Sequence, residues 1–154
     1  MQYSVIKRAD VAYVVHEGDF KENCESTLDS VVAEASVPII LVDLGRIRGF
    51  NSYGVGLLRN FLRSLVANAE VEIHRCSSSV IDAVNLAPAV LKGVRVMSLM
   101  VPIWCESCRI EKDELFDTKL VTETAFPPCA PCAKCGGGRV PHVEVSEYLG
   151  FLSE

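Results

Sequence analysis

The chain has 154 residues, 49% of them hydrophobic and 23% charged, enough for one ordinary domain or a domain with a small appended module. Its formal charge of -5 and pI near 5.2 argue against a general nucleic-acid or anionic-membrane binder, because phosphate-tracking surfaces need an excess of Lys and Arg. The longest apolar run, VPIILV at residues 37–42, is far too short to insert across a bilayer. Residues 1–10 mix charges with apolar side chains and lack the apolar stretch of an export signal. A cytoplasmic protein is therefore expected, in which seven cysteines read as thiols or metal ligands rather than disulfides.

In chain order, Tyr3 and Val5 alternate with polar neighbours and predict a strand that pairs with a second, β-branched one over residues 10–18. Cys24, Leu28, Val31, Val32 and Ala35 recur at helical spacing. IILVDL, residues 39–44, is continuously apolar up to its Asp, as expected of a central strand covered on both faces. Leu57, Leu58, Phe61, Leu62 and Leu65 mark a second amphipathic helix, after an Asn-Ser-Tyr-Gly turn at residues 51–54. VEIHR predicts a strand, SSSVIDAVNL a serine-capped helix, and GVRVMSLM, residues 93–100, a last strand. Such alternation implies a mostly parallel sheet with helical cover.

The segment IILVDLGRIRGFNSYGVGLLRNFLRSL resembles the STAS domain, shared by sulfate-transporter cytoplasmic tails and anti-sigma-factor antagonists. Asp43 at the end of an apolar strand, a short loop, and Asn51-Ser52-Tyr53-Gly54 opening a helix carry the resemblance, which spans roughly residues 3–100. Two positions depart from the family's pattern: Asn51 stands where Asp is usual, and Tyr53 where a small residue is usual. The resemblance implies a STAS-like mixed, mostly parallel sheet with helices packed on it. It also implies that Ser52 is the phosphoacceptor of a partner serine kinase.

The residues themselves leave two uses open for Ser52. Its hydroxyl can cap the helix by accepting an amide hydrogen bond, or the orphan amides and the helix dipole can accommodate a phosphate there. Gly54 and Gly56 would let a partner backbone, or the sheet, come close. Arg46 and Arg48 flank the loop as solvated charges or contacts for an acidic partner. His16, His74, Cys24 and Cys76 read as structural residues, with no nucleophile or carboxylate constellation around either histidine.

The composition shifts near Met100, dividing the chain into residues 1–100 and 101–154. The second part holds Cys105 and Cys108, then Cys129, Cys132 and Cys135. Two Cys-x2-Cys knuckles match the spacing of a four-thiolate structural zinc site, and this segment resembles a zinc ribbon. The five cysteines allow two choices of second knuckle. Glycines after Cys135 favour Cys132 with Cys135, leaving Cys129 as an alternative ligand and His142 as a weaker one. Four thiolates leave no open position for catalysis, and a redox pair would stand at a helix start rather than among Pro and Gly. RIEKDELFDTKLVTET, between the knuckles, suits a strand or helical turn; the apolar tail from His142 to Leu152 suits packing on either part.

The function expected is therefore non-enzymatic. By resemblance, the surface of Asn51, Ser52, Tyr53, Gly54, Gly56, Arg46 and Arg48 docks an anti-sigma factor or serine kinase, alongside a structural zinc. The alternative is a constitutive subunit or scaffold of a transport or signalling complex, with Ser52 unmodified. Nucleic acid is not an expected partner.

Overall fold

The computed structural model describes residues 1–122 and 124–153. A five-stranded sheet contains β1 (Gln2–Arg8), β2 (Val11–Phe20), β3 (Ile39–Phe50), β4 (Glu70–His74) and β5 (Val94–Val96), laid side by side in chain order. The first two strands form an antiparallel hairpin, and the remaining pairings are parallel. The connecting helices are α1 (Glu25–Glu34), α2 (Ser52–Val66) and α3 (Ser78–Leu86).

Because every crossover steps the same way along the sheet, right-handed connections hang all three helices on one face. The register shows the consequence. Val14, Val42, Ile73 and Val96 form one row across four strands, and Ala12, Ile40, Val71 and Val94 form another; from Ala12 to Ile73 these rows are buried beneath the helices. The alternate rows, Tyr13-Leu41-Glu72-Arg95 and Val15-Asp43-His74, point the other way. This corrects the expectation of a β3 covered on both faces. The apolar run IILV hides a strand whose opposite face is dressed by polar groups.

That face is held by charge. Asp43, whose side chain is 1% exposed, takes the Arg75 guanidinium at 2.6 and 2.8 Å, the Tyr13 hydroxyl at 2.9 Å and the Gly45 amide at 3.0 Å. Burial and the neighbouring Asp43 carboxylate raise the Tyr13 pKa, and the hydrogen bond to Asp43 raises that of Arg75. Both oxygens of this buried carboxylate are engaged, so its hydrogen-bonding capacity is satisfied.

Two further expectations are corrected. Strand β3 does not stop at Asp43 or Leu44 but runs on to Phe50, with Ile47 buried and Arg46 and Arg48 exposed, the alternation of a half-buried strand. Two register shifts against β2 fall between Asp43 and Arg46 and between Ile47 and Gly49, where β3 carries glycines. Likewise, residues 93–100 are not one strand: the chain breaks at Met97, and β6 (Ser98–Cys105) joins a second sheet with β7 (Ile110–Asp117) and β8 (Arg139–Pro141), in the order β7-β6-β8. Met97 donates its amide to the Ile73 carbonyl, whereas Cys76 donates its amide to the Ser98 carbonyl and accepts the Met100 amide, so β6 leaves the first sheet just past the end of β4.

A 3-10 turn, Thr118–Leu120, follows β7; Glu123, in the same inter-knuckle stretch, lies outside the described residues, as does Glu154. The tail forms α4 (Val145–Tyr148) and packs on α3. Tyr148 donates to the Met100 carbonyl at 2.6 Å and meets the Ser78 hydroxyl at 3.0 Å, while Asn85 binds the backbone of Glu147, Tyr148 and Phe151. Leu99, Val101, Ile103, Phe116, Tyr148, Leu149 and Phe151 belong to the same buried cluster as the helix-covered face of the first sheet.

Candidate functional site

Two places gather the residues singled out from sequence: the loop that opens α2 and the four-cysteine group at the tips of the second sheet.

At the first, Asn51 and not Ser52 caps α2. Asn51 has extended backbone, and its Oδ1 accepts the Gly54 amide at 2.8 Å. Asparagine is as good a cap as serine, so the sequence held this signal one residue earlier than expected. Ser52 is then the first helical residue, exposed, its hydroxyl not needed for the cap. Tyr53 is 52% exposed, with its hydroxyl 3.5 Å from Glu25.

Gly54 is buried instead of presented to a partner. A Cβ there would lie 2.1 Å from the Phe20 carbonyl oxygen, so its missing side chain lets α2 seat on the end of β2. Gly56 has open space around its Cα, and nothing would obstruct a neighbour there. Arg46 pairs with Glu17 at 3.2 Å across the strands; Arg48 is exposed on β3, and its carbonyl accepts the Ser79 hydroxyl. Ser77 caps α3 and donates to the Ile47 carbonyl, tying the start of α3 to the strand that feeds α2. Between the two helix starts lies a groove of about 330 Å³, lined by Phe50, Ser52, Val55, Ala83 and Leu86 among others. Leu86 and the groove carried no motif, since only the meeting of α2 and α3 creates them.

At the second place, Cys105, Cys108, Cys132 and Cys135 present sulfurs that all lie within 4.8 Å of one another. Cys105 and Cys135 are 3.6 Å apart, Cys108 and Cys132 3.9 Å. Tetrahedral coordination with Zn–S of about 2.3 Å demands sulfur separations of about 3.8 Å, so the donor set fits such an ion. Cys129 is outside this group; burial raises its thiol pKa. His142 pairs with Glu111 and lies beside the Trp104 ring, also outside it.

The knuckles are built locally. Arg109, with φ +52°, donates its amide to the Cys105 carbonyl; Gly136 closes a turn onto Cys132, and the Gly137 amide points at the Cys135 sulfur from 3.4 Å. A Cβ on Gly137 would stand 2.8 Å from the Ser107 hydroxyl oxygen, so glycine there lets the two knuckles close on each other. The neighbouring Cys135 thiol, with burial and the Cys132 and Cys105 thiols, pushes the Cys108 pKa up to about 12. The backbone amides of Lys134 and Cys135 hold that of Cys132 down at about 6. Thiols this crowded oppose one another's ionisation, an opposition a bound cation removes.

No family model matches the chain, and no curated protein does. Among solved structures, the anti-sigma factor antagonist SpoIIAA in its unphosphorylated form is similar over 62% of this chain and 87% of its own, at 13% identity and a TM-score of 0.42. The Bacillus cell fate determinant SpoIIAA in its phosphorylated form matches over 62% of this chain and 90% of its own, at 16% identity and a TM-score of 0.40. No helix among the described residues is long and apolar enough to cross a membrane.

Proposed function

We propose that this chain is a non-enzymatic docking protein of the anti-sigma-antagonist kind, whose residues 1–100 capture an anti-sigma factor or serine kinase and whose residues 101–154 carry a structural zinc. The observation that carries the reading is the placement of Ser52. Asn51 takes the capping duty, which leaves an exposed hydroxyl on the first turn of a 15-residue helix beside an apolar groove. A phosphate there would add about -1.5 to -2 charge at the positive end of a helix dipole, tolerated by α2 and disruptive to a partner packed on the groove. Asn51, Tyr53, Gly56, Arg46 and Arg48 surround it as contact residues; Gly54 contributes by setting the seat of α2. Zinc is favoured by four cysteine donors at tetrahedral spacing, with no fifth donor grouped with them among the described residues.

Tyr53 favours a second reading. Its ring stands next to Ser52, where a kinase would need room, which suits a constitutive scaffold with Ser52 unmodified. Capture of partners from native lysate with wild-type, Ser52→Ala and Ser52→Asp baits, read by mass spectrometry, separates the two. Loss of a partner with Ser52→Asp alone, together with phosphate on wild-type Ser52, supports the switch. One partner held equally by all three baits, with Ser52 unmodified, supports the scaffold.

A further inference from the structure

A second groove, of about 440 Å³, runs between α3 and the C-terminal segment and meets the Ser52 groove at Asp82 and Leu86. Its apolar surface comes from Leu86, Val143 and Tyr148, and its charged lining residues are Asp82, Glu144 and Glu147. Among the described residues, no Lys, Arg or His lines either groove and none of these three carboxylates is in an ion pair. Among the described residues, the Glu144 carboxylate accepts one hydrogen bond, from the neighbouring Ser146 hydroxyl. Leu86, at the end of α3, is 86% exposed, the most exposed large apolar side chain described.

The wall opposite α3 is fixed in advance. Asn85 holds the Glu147, Tyr148 and Phe151 backbone at 2.9 to 3.2 Å, and Tyr148 is anchored to Met100 and Ser78. A preformed groove does not spend binding energy on ordering itself. Its charge selects the occupant: unpaired carboxylates around an apolar channel attract ammonium and guanidinium groups, and they repel acidic segments and anionic lipid alike.

From this charge pattern on a preformed channel, we infer that the α3–tail groove binds a basic amphipathic helix of a protein partner. Apolar side chains of that helix pack against Leu86 and Val143, and its Lys or Arg residues lie along Asp82, Glu144 and Glu147. The inference goes beyond the Ser52 reading and needs no phosphorylation, so either can fail alone.

The test uses the full chain with its metal, with two synthetic helical peptides as probes, one of Leu and Lys and its counterpart of Leu and Glu. Binding is followed by fluorescence anisotropy and by amide chemical shifts. Expected are saturable binding of the Leu/Lys peptide, shifts concentrated at Asp82 to Leu86 and Val143 to Tyr148, weakening at high salt, and no binding of the Leu/Glu peptide. Asp82→Asn/Glu144→Gln/Glu147→Gln should weaken binding about tenfold, the sum of three surface attractions, and Leu86→Ser should weaken it without changing the thermal midpoint. Equal binding by the neutralised variant, shifts elsewhere on the surface, or no binding would overturn the proposal. So would a wild-type dimer that Leu86→Ser makes monomeric, since the occupant would then be a second copy of the chain.

Discussion

The two sheets are held together by different means. The five-stranded sheet buries β2, β3 and β4 under α1, α2 and α3, with Leu28, Val31, Leu58, Phe61, Leu62 and Ile81 closing over them. In contrast, between Cys105 and Tyr148 the buried hydrophobic residues described come down to Phe116 alone. A stretch with so little apolar burial gains little to offset the entropy of its own ordering, and beyond its pairing with β6 it depends on the four converging thiols. One region is held by its apolar core; the other is a small sheet whose tips meet at four thiols.

Metal removal should break the comparison most sharply. Chelation, or Cys135→Ser, is expected to remove amide-exchange protection from residues 106–141 while leaving β1 to β5 protected, because structural zinc supplies about 10 kcal/mol or more to such a module. Unchanged protection throughout would show that the second sheet stands on its own contacts. Zinc content measured on the same samples should be about one per chain.

The first region should respond to a cavity instead. Leu62 is fully buried, so Leu62→Ala should cost about 2–5 kcal/mol in denaturant unfolding. Its effect on zinc content should be nil in the folded state.

His16 gives that region an acid sensitivity. It is fully buried, with both ring nitrogens lacking a hydrogen-bond partner among the described residues, and burial lowers its pKa from 6.5 to about 4. The folded chain resists a proton that the unfolded chain accepts. Its contribution is therefore whole above pH 6.5 and is lost as pH falls from 6.5 toward 4, by about 3 kcal/mol in all. His16→Leu should flatten that part of the stability profile; a profile unchanged by the substitution would place the acid sensitivity elsewhere.

Smaller still is the cap. Asn51→Ala should cost about 1 kcal/mol and Ser52→Ala a few tenths, measured by thermal unfolding. Equal costs would return the capping role to the serine. At the end of the scale, Cys129→Ser should leave zinc content and module protection unchanged, since its sulfur is outside the four-thiol group.

What the sequence by itself determined is local. Apolar periodicity placed α2 through Leu57, Leu58, Phe61, Leu62 and Leu65, all buried in the structure, because a 3.6-residue repeat leaves one stripe to face a sheet. The spacing of Cys105 with Cys108 and of Cys132 with Cys135 was equally legible, since a knuckle is a turn of four residues that sets two sulfurs side by side. Tertiary structure decided the rest. Continuous apolarity in β3 could not reveal that crossovers of one hand leave a face bare, nor that Asp43 on that face would meet Arg75 from thirty-two residues away. Nor did GVRVMSLM contain the break at Met97. That break arises because the backbone groups of Cys76, just past the end of β4, are bonded to Ser98 and Met100, a competition between two sheets that no local preference encodes.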